Sequence, residues 1–224
     1  MATNNAIDNK STSRNALRIN AGSSTTGSVT LSTTLSSVTF PFGIDGTSSD
    51  FFMGTGASNK LLNIDSNGIV TKPEQPAFLA YLSATANNVT GDGTSYTVAC
   101  NTEVFDQGSD YDNASTYTFT APVTGRYLFF GNTYFVNDPT SGGNTYSFKI
   151  ITSNRTYFAL YINSRRNMAG FYGDQDAIAQ GSAYFADMDA GDTAYLVSQN
   201  YNGSKVDDVY GGNCYTWFGG YLVC

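Results

Sequence analysis

The stretch Tyr117-Thr118-Phe119-Thr120-Ala121-Pro122-Val123-Thr124-Gly125-Arg126-Tyr127-Leu128-Phe129-Phe130 decides how this chain folds. Aromatic residues alternate at Tyr117/Phe119 and again at Tyr127/Phe129, and alternation at period two puts those rings on one face of a strand pair. Pro122 pre-sets the φ of a turn and Gly125 is free to take a positive φ, so the segment reads as a strand, a tight corner and a strand.

Outward from it, strand signals separated by turn signals recur at 77–84, 95–100, 115–120, 125–136, 146–152, 156–163, 183–188, 193–200 and 214–224, with no helical period. That spacing predicts an all-β fold, a two-sheet sandwich of jelly-roll type. Lys72-Pro73-Glu74-Gln75-Pro76 marks its start, because the two prolines hold the chain extended and break a sheet running through them.

Upstream the chain is thinner. Residues 1–25 are rich in Asn, Ser and Thr and cannot order themselves by burial alone, so they read as an extended polar arm that a partner orders. Arg14, Leu17, Arg18 and Ile19 are its candidate anchoring residues. Residues 26–72 read as a small β-collar, with Val29 and Leu31 on one side of a first strand and a hairpin turning at Asp65-Ser66-Asn67-Gly68 between Leu62/Ile64 and Ile69/Val70. Large residues are too sparse here for a private core, a pattern usual in shafts and collars stabilised by copies of themselves.

Composition narrows the chemistry. The 224 residues carry a net charge of −7 with only 11 basic residues and no basic patch, which disfavours nucleic-acid binding, and no run approaches a membrane span. With no histidine, Ser/His/Asp or Cys/His catalysis is excluded, and so are most catalytic zinc sites. A carboxylate pair for glycoside hydrolysis meets only in the fold, and the chain is read as a non-enzyme. Cys100, Cys214 and Cys224 lack metal-ligand or redox spacing. Cys100 and Cys214 read as small buried hydrophobes, with a Cys214–Cys224 disulfide as the alternative. The polar opening from Met1 to Lys10 lacks a secretory signal, so synthesis in a cytoplasm is expected.

The spacing from Phe119 to Gly125-Arg126-Tyr127-Leu128-Phe129 resembles the signature of the globular head of complement C1q, a family sharing its jelly roll with the tumour necrosis factors. Ala190-Gly191-Asp192-Thr193-Ala194-Tyr195-Leu196 resembles that family's Gly-Asp hairpin, Thr216-Trp217-Phe218-Gly219-Gly220-Tyr221-Leu222 its closing strand, and Pro76-Ala77-Phe78-Leu79-Ala80-Tyr81 its opening strand. Asp112 stands where the signature has a large apolar residue, with Tyr111 beside it. The resemblance spans 73–224 and implies a C1q/TNF-like knob that forms a homotrimer, with Tyr127, Phe129, Tyr157, Tyr161, Phe218 and Tyr221 divided between core and seam. The segment from Asn63 to Phe78 also resembles linkers that precede such knobs in bacteriophage and other viral fibre proteins.

Together these features look like a virion protein: a homotrimeric short fibre or spike whose arm docks on capsid or tail proteins and whose knob meets a host surface glycan or protein. The alternative is a decoration protein that cements capsid or tail subunits without a receptor. Tyrosines and polar residues in the last loop make Tyr201, Asn202, Asp207, Asp208 and Tyr210 the ligand-binding candidates, since rings stack on sugars or proteins while Asn and Asp take hydrogen bonds. The acidic loop holding Asp106, Asp110 and Asp112 is a candidate calcium site, although its spacing matches no standard loop; no other cofactor is expected.

Overall fold

Alternation runs the length of the longest strand: Tyr127, Phe129, Gly131, Thr133 and Phe135 point inward, while Leu128, Phe130, Asn132 and Tyr134 face the other way. The computed structural model describes residues 29–35, 38–56, 59–136, 145–163, 177–201, 203–212 and 215–224. Arg14, Leu17, Arg18, Ile19, Asn202 and Cys214 lie outside the described residues, as does the side chain of Tyr161. The chain divides into two compact units, Met1–Pro73 and Glu74–Cys224.

The first unit is a five-stranded antiparallel meander of β1 (Val29–Leu35), β2 (Val38–Ile44), β3 (Phe51–Gly56), β4 (Asn59–Ile64) and β5 (Val70–Thr71), paired in chain order. Asp65 makes the last turn. Its carboxylate accepts from the amides of Asn67 and Ile69 at 2.8 Å each, and its carbonyl accepts from Gly68 N at 3.0 Å. Among the described residues of this unit, Phe52 is the one fully buried large apolar side chain. An ion cluster does part of the work a core would do. Lys60 Nζ lies 2.9 Å from Asp45 and 3.0 Å from Asp50, donates to Ser48, and sits over the Phe52 ring, tying the β2–β3 loop to β4.

The second unit is a sandwich. Its first strands are β6 (Ala77–Tyr81), β7 (Ala86–Thr90), β8 (Asp92–Thr97), β9 (Thr102–Gln107), β10 (Tyr111–Asp112) and β11 (Thr118–Thr120). They are followed by β12 (Gly125–Val136), β13 (Thr145–Thr152), β14 (Thr156–Asn163), β15 (Ala177–Met188), β16 (Thr193–Tyr201), β17 (Asp207–Val209) and β18 (Trp217–Leu222). One sheet runs β10-β11-β16-β13-β14; the other runs β7-β17-β12-β18-β6-β9, with β15 on the second edge of β12. The framework is thus two antiparallel four-strand paths, β6-β18-β12-β15 and β11-β16-β13-β14, in which first and last strands pair and neighbours come from distant parts of the chain. That order is a jelly roll, so the all-β jelly-roll expectation holds.

Several sequence expectations are corrected in detail. Strands β11 and β12 do not pair: β11 belongs to one sheet and β12 to the other, so Pro122 to Thr124 carry the chain across the sandwich. The aromatic residues meet face to face across the core instead, with Phe119 5.5 Å from Tyr127 and 5.6 Å from Phe129 between ring centroids. Tyr117 stands before β11 with a φ of 55°. Gly125 has no positive φ; its smallness is used for packing, because a Cβ there would lie 2.7 Å from Leu222 Cδ1 and 2.8 Å from the carbonyl of Cys224. The strand expected over 183–188 begins at Ala177, where it finds β12 as partner along its whole length. The strand expected over 95–100 ends at Thr97, after which Val98 N bonds Leu196 O at 2.9 Å. At the acidic loop Tyr111, and not Asp112, fills the apolar place, stacked 4.7 Å from Phe78.

The interior has two apolar clusters. The larger gathers Phe78, Tyr111, Phe119, Tyr127, Phe129, Phe148 and Phe218; the smaller gathers Leu82, Phe135, Tyr146, Ile178 and Val209. On β12 and β15 the two are separated by Thr133 and Gln180, cross-strand partners that are both buried with side-chain polar atoms unpaired. Cys100 is buried as expected, and burial pushes its thiol up to about 12; Cys224 is exposed.

Candidate functional site

Two surfaces of the sandwich carry side chains that lie outside its core. The first is the outward face of β6-β18-β12-β15. Inward alternation of Phe129 and Phe218 dictates that Leu128, Phe130, Tyr134, Trp217 and Tyr221 turn out. Phe130 lies 5.8 Å from Trp217 and 6.5 Å from Tyr221, while Tyr134, Tyr210 and Tyr215 form a second cluster with centroids 5.0–5.8 Å apart. Register sets Phe185 beside Leu128, and Phe185 is 62% exposed. Phe105 and Val104 on β9 extend the exposed apolar residues toward the sheet edge.

The second surface is a cleft of about 310 Å³ on the other sheet, lined by Gly93, Thr145, Ser147, Lys149, Phe158, Gln199, Asn200 and Tyr201. Here Tyr146, Phe148 and Ile150 take the core side of β13, so Ser147 and Lys149 face out. Lys149 Nζ donates to Gln199 Oε1 and sits 4.9 Å from the centre of the Phe158 ring. Desolvation pushes its pKa down. Among the described residues no carboxylate reaches it within ion-pair distance. Gln199 Nε2 in turn donates to the carbonyl of Gly93. Gly93, with φ +90°, leaves room for Tyr201: a Cβ there would fall 2.9 Å from Tyr201 Cδ2. Phe158 and Tyr201 remain 57% and 60% exposed.

The structure divides the candidate residues among different places. Tyr127, Phe129 and Phe218 are fully buried core residues; Tyr221 is on the exposed aromatic face; Tyr157 is half-buried against Tyr184 at 5.5 Å. Tyr161 lies on β14. Tyr201 belongs to the cleft, whereas Tyr210 packs on Tyr134 and Tyr215 at the other sheet. Asp207 and Asp208, two of the ligand-binding candidates, are buried. They lie on β17, where Asp207 accepts from Asn200 Nδ2 and Asp208 accepts from the amide of Asn88 at 2.7 Å.

In the acidic loop the three carboxylates do not converge. Asp106 accepts from the amides of Asp110 and Tyr111, whereas Asp112 accepts from Ala114 N, from the amides of Ser115 and Thr116 and from their hydroxyls. Those bonds hold the Asp112 carboxyl far below the usual range, and among the described residues no cluster of three such groups is placed to hold a metal ion. Sequence reading missed Lys149, Phe158, Gln199 and Gly93. The outward phase of β13 was the available signal for Lys149; nothing local joins it to Gly93, which lies far away in sequence.

No family model and no curated protein matches the sequence. Among solved structures, the chain is similar to the globular domain of the zebrafish complement 1qA protein, with 16% identity and a TM-score of 0.43 over 67% of this chain and 98% of that one. It is also similar to murine APRIL at pH 8.5, with 10% identity and a TM-score of 0.44 over 66% and 99% of the two chains. The jelly-roll assignment rests on the strand order described above.

Proposed function

We propose that the chain is a virion structural protein, a homotrimeric short fibre or spike. In it the jelly roll of residues 73–224 is the projecting knob, residues 26–72 are a collar, and the polar arm of residues 1–25 docks on capsid or tail proteins. The observation that carries this reading is the exposed aromatic face built by Phe130, Trp217, Tyr221 and Phe185, since apolar surface of that kind on a folded domain marks an interface. Three copies meeting through it bury the rings, as the C1q-like resemblance implies. The net charge of −7, the polar arm and the fibre-like linker from Asn63 to Phe78 favour a virion over a free ligand.

The knob then works by presenting a host-facing site, not by chemistry: catalytic dyads based on histidine are excluded by composition. The cleft at Lys149 favours an adhesin over a pure cement, because a cement has no need of a half-buried, cleft-lining cation held against a ring. Particles assembled without residues 74–224 test the reading. Loss of adsorption supports the adhesin, intact adsorption with fragile particles supports the cement, and no change in either contradicts both.

A further inference from the structure

The cleft on the outward face of β13, β14 and β16 deepens the adhesin reading and rests on it, since it bears on what such a knob would bind. Its features are those of a ligand site. A volume of about 310 Å³ is the lower end of the range for small-ligand pockets and suits one or two sugar rings. Lys149 is held in place by Gln199 Oε1 and the Phe158 ring, a neutral acceptor and a quadrupole, which leaves the ammonium with unfilled donor capacity and no counter-charge among the described residues. Gln199 is itself fixed by the Gly93 carbonyl, so the cation is pre-positioned. Tyr201 packs one edge of its ring against Gly93 and is 60% exposed.

We propose that this cleft binds a carboxylate-bearing saccharide. Its acid group pairs with Lys149, its ring stacks on Tyr201 or Phe158, and its hydroxyls meet Thr145, Ser147 and Gln199. The rings argue for a sugar face, the polar side chains for its hydroxyls, and an ammonium with no carboxylate partner among the described residues for an acidic member of the class. In a chain of net charge −7 an anion is drawn by no general field, so recognition has to come from this local cation.

The test uses the full chain, with 3′-sialyllactose and trigalacturonic acid as acidic probes and lactose and the methyl ester of trigalacturonic acid as neutral ones, read by calorimetry and saturation-transfer NMR. At least one acidic probe binds, its neutral counterpart binds about tenfold or more weakly, and added salt weakens the acid alone. Lys149→Met loses that discrimination while thermal unfolding and solution mass stay unchanged; Tyr201→Ala weakens acid and neutral probe together. Absence of binding by both acidic probes, equal binding of acid and neutral partner, or unchanged binding by Lys149→Met each overturns the proposal. None of those results moves the solution mass or particle attachment by which the virion reading stands or falls, so the two fail separately.

Discussion

Gly125 and Leu222 approach so closely that a Cβ on the glycine would lie 2.7 Å from Leu222 Cδ1, with the carbonyl of Cys224 at 2.8 Å. The contact belongs to a backbone seam in which Arg126 N bonds Cys224 O at 2.7 Å and Val223 N bonds Arg126 O at 2.8 Å. Because backbone forms part of the obstacle, Gly125→Ala has to shift the end of the chain or β12. The expected cost is about 1–3 kcal/mol, seen as a lower Tm in thermal unfolding. A variant as stable as the parent would show that this end of the chain yields freely.

Asp45, Lys60 and Asp50 give the first unit a pH dependence. Hydrogen bonding from Lys60 is the largest cause lowering Asp45 to about 2 and also lowers Asp50, so both carboxyls are more acidic folded than unfolded. Their contribution is therefore full above the ordinary aspartate range near pH 4 and is lost as pH falls toward about 2. Lys60 is raised by the same partners, so its share is lost only on the alkaline side, as pH rises through its folded value. An NMR titration of Lys60→Met should show the Asp45 carboxyl returning toward the ordinary range; a carboxyl left near 2 would mean that the Thr47 amide and Ser48 hold it instead.

Thr133 keeps a buried hydroxyl without a partner opposite Gln180. Thr133→Val removes that group at nearly constant volume, so it should raise stability by about 1 kcal/mol in denaturant unfolding. A fall of similar size would instead point to an ordered water completing the pair.

Thiol reactivity should separate the two described cysteines. Cys100 is buried with its pKa pushed up to about 12, so a maleimide at neutral pH should leave it unlabelled in the folded protein and react at exposed Cys224. Peptide mapping before and after denaturation reads the difference. Labelling of native Cys100 at the rate of Cys224 would contradict the packing.

Much of this was legible in the sequence. Alternation at Tyr127, Phe129 and Phe135 and the closing run from Trp217 carry the inward and outward phases directly, and the Asp65 turn is written in its own residues. Which sheet a strand joins is not local information: Phe119 and Tyr127 are separated by a corner that looks like a hairpin and is a crossing. Burial of Asp207 and Asp208 was equally hidden, because it depends on Asn88 and Asn200 approaching from other strands. The cleft was hidden for the same reason, since Gly93, Lys149, Phe158 and Gln199 become neighbours only once β8, β13, β14 and β16 come together.

The fibre reading depends on a trimer, which we propose forms through the aromatic face. Light scattering of the full chain, 24.0 kDa as a monomer, is expected to give three times that mass. Phe185→Glu, which sets a charge on a residue 62% exposed and outside the core, should reduce it to the monomer without unfolding the sandwich. A parent chain that runs as a monomer, or a trimer indifferent to Phe185→Glu, would contradict the account.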